Sequence, residues 1–274
     1  DQHQVDKIKR HVPDAIVKLK PTNVLRGVVF NVAGLKERKG PWQDVRVRRA
    51  MAMVTDYPGA IKAGQGSVEM GVSSGIVPPH VPTGLPWKEA EKILGIDKPM
   101  DVRIREAKKL MKEAGYPEGF KAEMISRETA IFTKPAEYLI EGWRKHLNIQ
   151  TDLKPLPPGV LFPRQETGDF DLALDGSPAL IGGSPEETLR MFLSNAITNF
   201  GRWSHAEYDR LYYQLVREAD SKKRAEISAK MQRISLEEIP IVIFASPSVG
   251  TAHRPTLHGH VLHTGHTNWA CFER

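Results

Sequence analysis

Apolar residues recur at helical spacing in five stretches of the chain. From Asp44 to Asp56, Val47, Ala50, Met51 and Val54 fall at i, i+3, i+4 and i+7, and Asp44 stands where an N-cap belongs. From Asp101 to Ala114, Ile104, Ala107, Met111 and Ala114 share one face; Gly115 follows at C′ and Pro117 blocks continuation. A third stripe is Ala136, Leu139, Ile140, Trp143 and Leu147. From His205 to Ala219, Tyr208, Leu211, Tyr212, Leu215, Val216 and Ala219 make the strongest pattern in the chain. From Ser221 to Glu238, Ile227, Met231 and Ile234 continue it until Pro240. Strand signals are shorter. Gly27 to Asn31 is one, and Phe120, Ala122 and Met124 alternate with polar residues. Phe170, Leu172 and Leu174 alternate between Asp169 and Leu174, Ile241 to Phe244 reads as a buried strand after a proline, and Ile149 to Leu153 is weaker. The mixture of strands and helices predicts an α/β fold. Two stretches, Lys62 to Lys88 and Ser177 to Pro185, follow neither period and are expected to be long loops.

Composition narrows the function classes. The 274 residues are 40% hydrophobic and 26% charged, an ordinary globular mixture. The net charge of +6 is mild for this length, and a mixed-sign solvated surface explains it better than a nucleic-acid patch. No apolar run approaches the ~20 residues of a membrane helix. The single cysteine, Cys271, closes no bridge within the chain. The opening Asp1-Gln2-His3-Gln4 has neither an initiator Met nor a leader pattern, so the chain is expected to begin inside a longer gene.

Catalytic chemistry is hard to find. Gly64-Gln65-Gly66 lacks the third glycine of a dinucleotide loop, and no Gly-x-Ser-x-Gly occurs. Asp169 and Asp171 flank Phe170 and would share a strand face, where a solvated pair is commoner than a catalytic one. Five of the ten histidines, His253, His258, His260, His263 and His266, fall near the C-terminus. A metal-binding carrier or metal-dependent enzyme is the alternative reading of that cluster. The simpler reading is a polar tail with exposed imidazoles, so no metal ligand and no cofactor is assigned.

Ordered motifs carry a resemblance. Phe30-Asn31, Gly40-Pro41-Trp42-Gln43-Asp44-Val45-Arg46-Val47-Arg48-Arg49-Ala50-Met51-Ala52 and Thr55-Asp56 come first. Glu106 to Tyr116 with Gly119-Phe120, Trp143 to Asp152, and Gly168-Asp169-Phe170-Asp171 follow. Asn199 with Ser204 to Leu211, then Asp220 to Arg224 with Glu238-Ile239-Pro240, complete the set. In this order they resemble the family 5 extracellular solute-binding proteins, the peptide-, nickel- and opine-binding components of bacterial ABC importers. Each motif alone is weak, but together they span most of residues 28–250.

The resemblance implies a periplasmic-binding-protein type II-like fold of which this chain is the C-terminal half. Residues 1–33 would return from an N-terminal lobe, 34–239 would form the C-terminal α/β lobe, and 240–274 would cross back. It implies a non-enzymatic role: capture of a peptide-like or other small solute between two lobes and delivery to membrane permease subunits, in the periplasm or cell envelope. Nucleic acid is not an implied partner, and an exposed inner face favours a dimer of the isolated chain. Arg127 falls near the place where peptide-binding relatives hold a ligand carboxylate, a contact that suits a guanidinium. Where those relatives carry Gly-Trp-x-x-Asp to hold a ligand amine, this chain has Gly176 to Gly183 with Ser177 at the Trp position and no acid before Glu186. That departure argues against a free α-amine and toward an acidic, neutral or oligopeptide-unlike ligand. Ser177, Leu180, Gly182 and Gly183 of this loop, with Asn199, Arg202 and Trp203, complete the candidate ligand contacts.

Overall fold

Strand β2 (Arg26–Phe30) sits at the centre of a seven-stranded sheet because both of its faces are apolar. The computed structural model describes residues 1–176 and 185–257. Around β2 the strands run in the order β1 (Ile16–Pro21), β7 (Ile241–His253), β2, β6 (Leu172–Gly176), β4 (Lys121–Arg127), β5 (Gln150–Leu156); β3 (Gly71–Val72) pairs with β7. Strands β4, β5 and β6 are mutually parallel, β2 is antiparallel to β6 and β7, and β1 is antiparallel to β7. The helices are α1 (Gln2–His11), α2 (Val45–Val54), α3 (Tyr57–Gln65), α4 (Trp87–Leu94), α5 (Met100–Glu113), α6 (Ala130–Leu147), α7 (Pro158–Thr167), α8 (Pro185–Arg190), α9 (Ala206–Leu215) and α10 (Ser221–Glu238). No described helix is long and apolar enough to cross a membrane.

The main core lies where α2, α5 and α6 cover the sheet. Val47, Ala50 and Met51 of α2 are fully buried with Met111, Trp143, Met124 and Leu172. Trp143 Nε1 donates to the Met51 carbonyl at 3.1 Å and lies 3.3 Å from Thr55 Oγ1, so the largest side chain in the core has no unmet donor. A second core joins Leu25, Trp203, Tyr208, Leu211, Leu215 and Met231. Asp44 caps α2 by accepting from Arg46 N at 2.8 Å, and Gly115 has φ +91, as the sequence predicts for both ends.

Several of the ordered motifs turn out to hold the chain together. Arg48 is 2% exposed and donates to the carbonyls of Trp42, Gln43, Glu238 and Ile239. Burial lowers its pKa to about 10. Those bonds clamp α2 onto the corner where α10 turns into β7, and Ile239 at that corner takes φ +48, unusual for a β-branched residue. Asn31 Nδ2 bonds the carbonyls of Leu35, Gly168 and Phe170, tying the end of β2 to the entry of β6.

Four expectations need correction. The stretch from Lys62 is not loop throughout: α3 runs into it, a short 3₁₀ turn spans Val68–Met70, and α4 begins at Trp87. Pro58, Gly59 and Gly64 mask α3 in the sequence, yet Asp56 caps it. Gly64 is where α3 meets α6, since a Cβ there would lie 3.3 Å from both the Ile131 carbonyl and the Pro135 ring. Helix α6 begins at Ala130, six residues before the apolar stripe, with Pro135 inside its first turns. β6 begins at Leu172, so Asp169 and Asp171 precede the strand. They belong to an ion cluster instead. Arg38 Nη2 lies 2.8 Å from Asp169, Arg164 Nη2 lies 2.6 Å from Glu123, and Asp171 accepts from Glu123 N at 2.8 Å. Burial pushes the Asp171 carboxyl up; for Asp169, hydrogen bonding and charge from Arg38 and Arg164 outweigh burial and hold it down. Finally, α1 and β1 form elements that the sequence patterns do not announce.

Candidate ligand-binding cleft

Strand register brings Arg26, Asp175 and Arg127 to one corner of the sheet. Asp175 of β6 pairs with Gly27 of β2, and on its other side β6 pairs with β4, Leu174 opposite Ser126. Arg127, one residue further along β4, places Nε 2.8 Å from Asp175 Oδ1. This corner is at the carboxyl ends of the parallel strands, where open α/β sheets bind ligands.

Aromatic rings fix the two guanidinium groups. The Arg26 guanidinium carbon is 4.2 Å from the Phe132 centroid, and that of Arg127 is 4.9 Å from the same ring and 5.1 Å from Phe162. Phe132, near the start of α6, is buried; Phe162 and Val160 of α7 remain exposed on the same side. Burial lowers the pKa of Arg26 to about 10, with Asp175 opposing the shift and Arg127 adding to it.

Arg26 also forms part of the wall of an open cleft of about 380 Å³. On one side stand α1, β1 and the outer part of β7, contributing Val5, Ile8, Leu19 and Val249. Met70 and Ile131 stand on the other. The cleft is therefore largely apolar, with a cation in its wall, a common composition for small-molecule sites.

The sequence-predicted residues do not converge. Arg127 is at this corner. Ser177, Leu180, Gly182 and Gly183 follow Gly176, the last residue of β6, and lie outside the described residues. Asn199, Arg202 and Trp203 sit at the opposite end of β2. The Gly201 carbonyl accepts from Ala33 N, just beyond Phe30, and a Cβ on Gly201 would strike the Phe30 carbonyl. Five residues of β2 separate the two ends, ~13 Å at strand rise. Their side chains are also engaged within the chain. Asn199 Nδ2 donates to the carbonyls of Leu193 and Trp203, while Asn199 Oδ1 accepts from Trp203 N. Arg202, at φ +52, donates to the carbonyls of Ala196 and Glu166. Trp203 is buried against Tyr208, centroids 5.1 Å apart.

Sequence reasoning missed Arg26, Phe132 and Phe162. No pattern marks an arginine at the start of an apolar strand; only the register of β2 against β6 shows its neighbours. Of the C-terminal histidines, His253 ends β7, with Nδ1 3.0 Å from the Arg254 carbonyl, and the other four lie outside the described residues. Among the described residues, no three His, Cys, Asp or Glu side chains are grouped to hold a metal ion.

Comparison with known proteins gives this geometry a context. The chain is 27% identical over 228 residues to the probable deoxycholate-binding periplasmic protein YgiS of Escherichia coli, covering 82% of this chain and 41% of that protein. It is 26% identical over 243 residues to heme-binding protein A of Haemophilus influenzae, covering 85% and 42%. Its fold matches the crystal structure of the ABC transporter substrate binding protein CtaP of Listeria monocytogenes with a TM-score of 0.79 at 23% identity, over 94% of this chain and 50% of that one. The chain thus spans about two fifths of the curated relatives and half of the solved structure. These relatives are binding proteins rather than enzymes. The profile of the bacterial extracellular solute-binding proteins, family 5 Middle, matches residues 2–200, and the chain belongs to that family.

Proposed function

We propose that this chain forms one wall of the solute-binding cleft of an exported ABC-importer component, which captures a small solute and hands it to a membrane permease without transforming it. The observation that carries this reading is a largely apolar cleft with Arg26 in its wall, beside the Phe132 ring that Arg26 shares with Arg127 at the end of β4. Family membership, and relatives named for periplasmic binding and for ABC transport, support the same role and a periplasmic or cell-envelope location. In this reading α1, β1, β3 and the outer part of β7 belong with a companion lobe, and the rest of the described chain is the second lobe. Closure of the two lobes buries the solute and excludes water. Arg127 touches the solute, whereas Asn199, Arg202 and Trp203 brace a loop at the far end of β2.

The test uses the complete protein as its gene encodes it, purified from the cell envelope, with co-purified solutes identified by mass spectrometry. A solute retained unchanged after long incubation, and bound at least tenfold more weakly by Phe162→Ala, supports the reading. Turnover of that solute, or binding unaffected by the substitution, overturns it. The isolated chain is expected to bind the same solute far more weakly than the complete protein, because one wall supplies part of the contacts.

A further inference from the structure

Helix α9 is capped by a histidine. His205 stands just before Ala206, and its Nδ1 accepts from the Tyr208 backbone N–H at 3.2 Å. The usual capping residues present an oxygen, but an imidazole nitrogen accepts only while it carries no proton. This cap therefore requires the neutral ring with its hydrogen on Nε2. Tyr208 makes the requirement strict. It is fully buried, its hydroxyl donates to the Leu189 carbonyl at 2.8 Å, and its N–H has no other acceptor among the described residues. The His205 ring stacks on Trp203, centroids 5.7 Å apart at 29°. Its charged neighbours on α9 are already engaged: Arg210 holds Glu207 through two contacts of 2.7 Å, and Asp209 accepts from Ser194 N at 3.0 Å. Lys230 of α10 lies within electrostatic reach of Glu207. Helix α8 contributes Glu186, Glu187 and Arg190, with Glu186 paired to Arg224. From Met191 to Ser204 the loop carries a single charged side chain, Arg202, which donates to the carbonyls of Ala196 and Glu166.

We propose that His205 is a proton-operated cap, which closes the first turn of α9 when neutral and opens it when protonated. The device works with or without a bound solute. On protonation Nδ1 becomes a donor facing a donor, and the Tyr208 N–H loses its acceptor in a buried setting where water does not replace it. The new charge also meets the positive end of the helix dipole. The Trp203 face and the carboxylates of Glu207 and Asp209 attract the cation, but only with Nδ1–H turned away from the backbone, so they hold the ring in its uncapped orientation. The consequence reaches the sheet. Ser194 Oγ accepts from His205 N at 3.3 Å, and the loop that joins these two residues seats Gly201 against β2, where the Gly201 carbonyl accepts from Ala33 N at 3.2 Å. Opening the cap loosens this brace at the end of β2 remote from Arg26.

The test follows the complete protein, labelled with nitrogen-15 at histidine and tyrosine, between about pH 8 and about pH 5, the range in which an imidazole changes charge. His205→Asn keeps an oxygen acceptor and cannot titrate, and His205→Ala has no acceptor; both are compared with the parent once circular dichroism matches at the upper pH. The parent should carry the His205 proton on Nε2 at the upper pH. Protection of its Tyr208 amide against exchange, corrected for the intrinsic rate, should fall at least fivefold at the lower pH. His205→Asn should keep that protection at both values, and His205→Ala should lack it at both. A proton on Nδ1 at the upper pH, parent protection unchanged by pH, or the same fivefold fall in His205→Asn overturns the proposal. An amide as protected in His205→Ala as in the parent at the upper pH overturns it too, since the ring would then not be the acceptor.

Discussion

Strand β7 passes through two environments within 13 residues. From Val242 to Pro247 every residue is buried, between β2 and the helices that cover it. From Ser248 onward the strand pairs with β1, and both strands are largely exposed: Val249, Leu19 and Ile16 are each close to two fifths exposed. Helix α1 beside them buries no residue at all. The same strand is thus core in one half and an uncovered ribbon in the other. Backbone pairing is continuous across the change, so hydrogen bonding does not distinguish the halves; side-chain burial does. Stability therefore resides in the body, and the ribbon contributes little buried surface.

Substitutions in the two regions should differ most sharply at Trp143 and Leu19. Trp143→Ala removes a fully buried ring and leaves the Met51 carbonyl without its indole donor. It should cost about 4 kcal/mol in chemical denaturation. Leu19→Ala, on the ribbon, should cost no more than about 0.5 kcal/mol. If Leu19→Ala costs as much as Trp143→Ala, the ribbon is packed in solution and the contrast fails. Arg48→Met should come next, at about 3 kcal/mol. It keeps the apolar stem but leaves four carbonyls, of Trp42, Gln43, Glu238 and Ile239, without their donor. Since those bonds hold the corner that feeds β7, this variant should also speed amide exchange at the start of β7, which Trp143→Ala reaches only through the core.

Amide exchange sharpens the comparison at smaller amplitude. Residues 249–252 of β7 and their partners in β1 should exchange before residues 242–245 of the same strand, by at least tenfold in native conditions. Equal protection would mean that the ribbon opens only with the whole molecule. Double substitution of Leu19 and Val249 by Lys should leave the melting temperature nearly unchanged and reduce any self-association seen by sedimentation.

The body was legible in the sequence for the reason that makes it stable. Helices α5, α9 and α10 bury one face, so their apolar residues repeat at helical spacing, while α2 is buried on all sides from Ala50 to Val54 and reads as an apolar run at its end. β2 and the first half of β7 are buried on both faces and read as short apolar runs. The ribbon was not legible because little there is buried: Val17 and Leu19 alternate with Lys18 and Lys20, and α1 spaces Val5 and Ile8 among charges. The corner of Arg26, Asp175 and Arg127 was half legible. Arg127 came from the motif resemblance, but Arg26 lies about 100 residues from Arg127 and about 150 from Asp175 in sequence, and only sheet register joins them. Asn199 and Trp203 read as contacts because polar and aromatic residues before a helix serve loop bracing and ligand binding equally well; in the structure Asn199 Nδ2 donates to the Trp203 carbonyl and Asn199 Oδ1 accepts from Trp203 N.

The smallest effect expected is at the start of α2, and it is separable by pH. Asp44 caps the helix and takes a bidentate contact from Arg46; the hydrogen bond from that guanidinium is the largest influence holding its carboxyl below the usual range, with the backbone N–H of Arg46 adding to it. A carboxyl whose folded-state pKa is depressed stabilises the protein above its unfolded value, about 3.9, and that contribution disappears as pH falls through the folded value. Asp44→Asn retains a good N-cap and removes the titrating charge. Calorimetry should show a small loss of melting temperature at pH 7 that closes as pH is lowered through the acid range. A ribbon substitution such as Leu19→Ala has no ionising group and should keep the same offset at every pH. A gap for Asp44→Asn that persists at low pH would show that α2 is anchored by packing and by Arg48 alone, with no share from the ionised carboxylate.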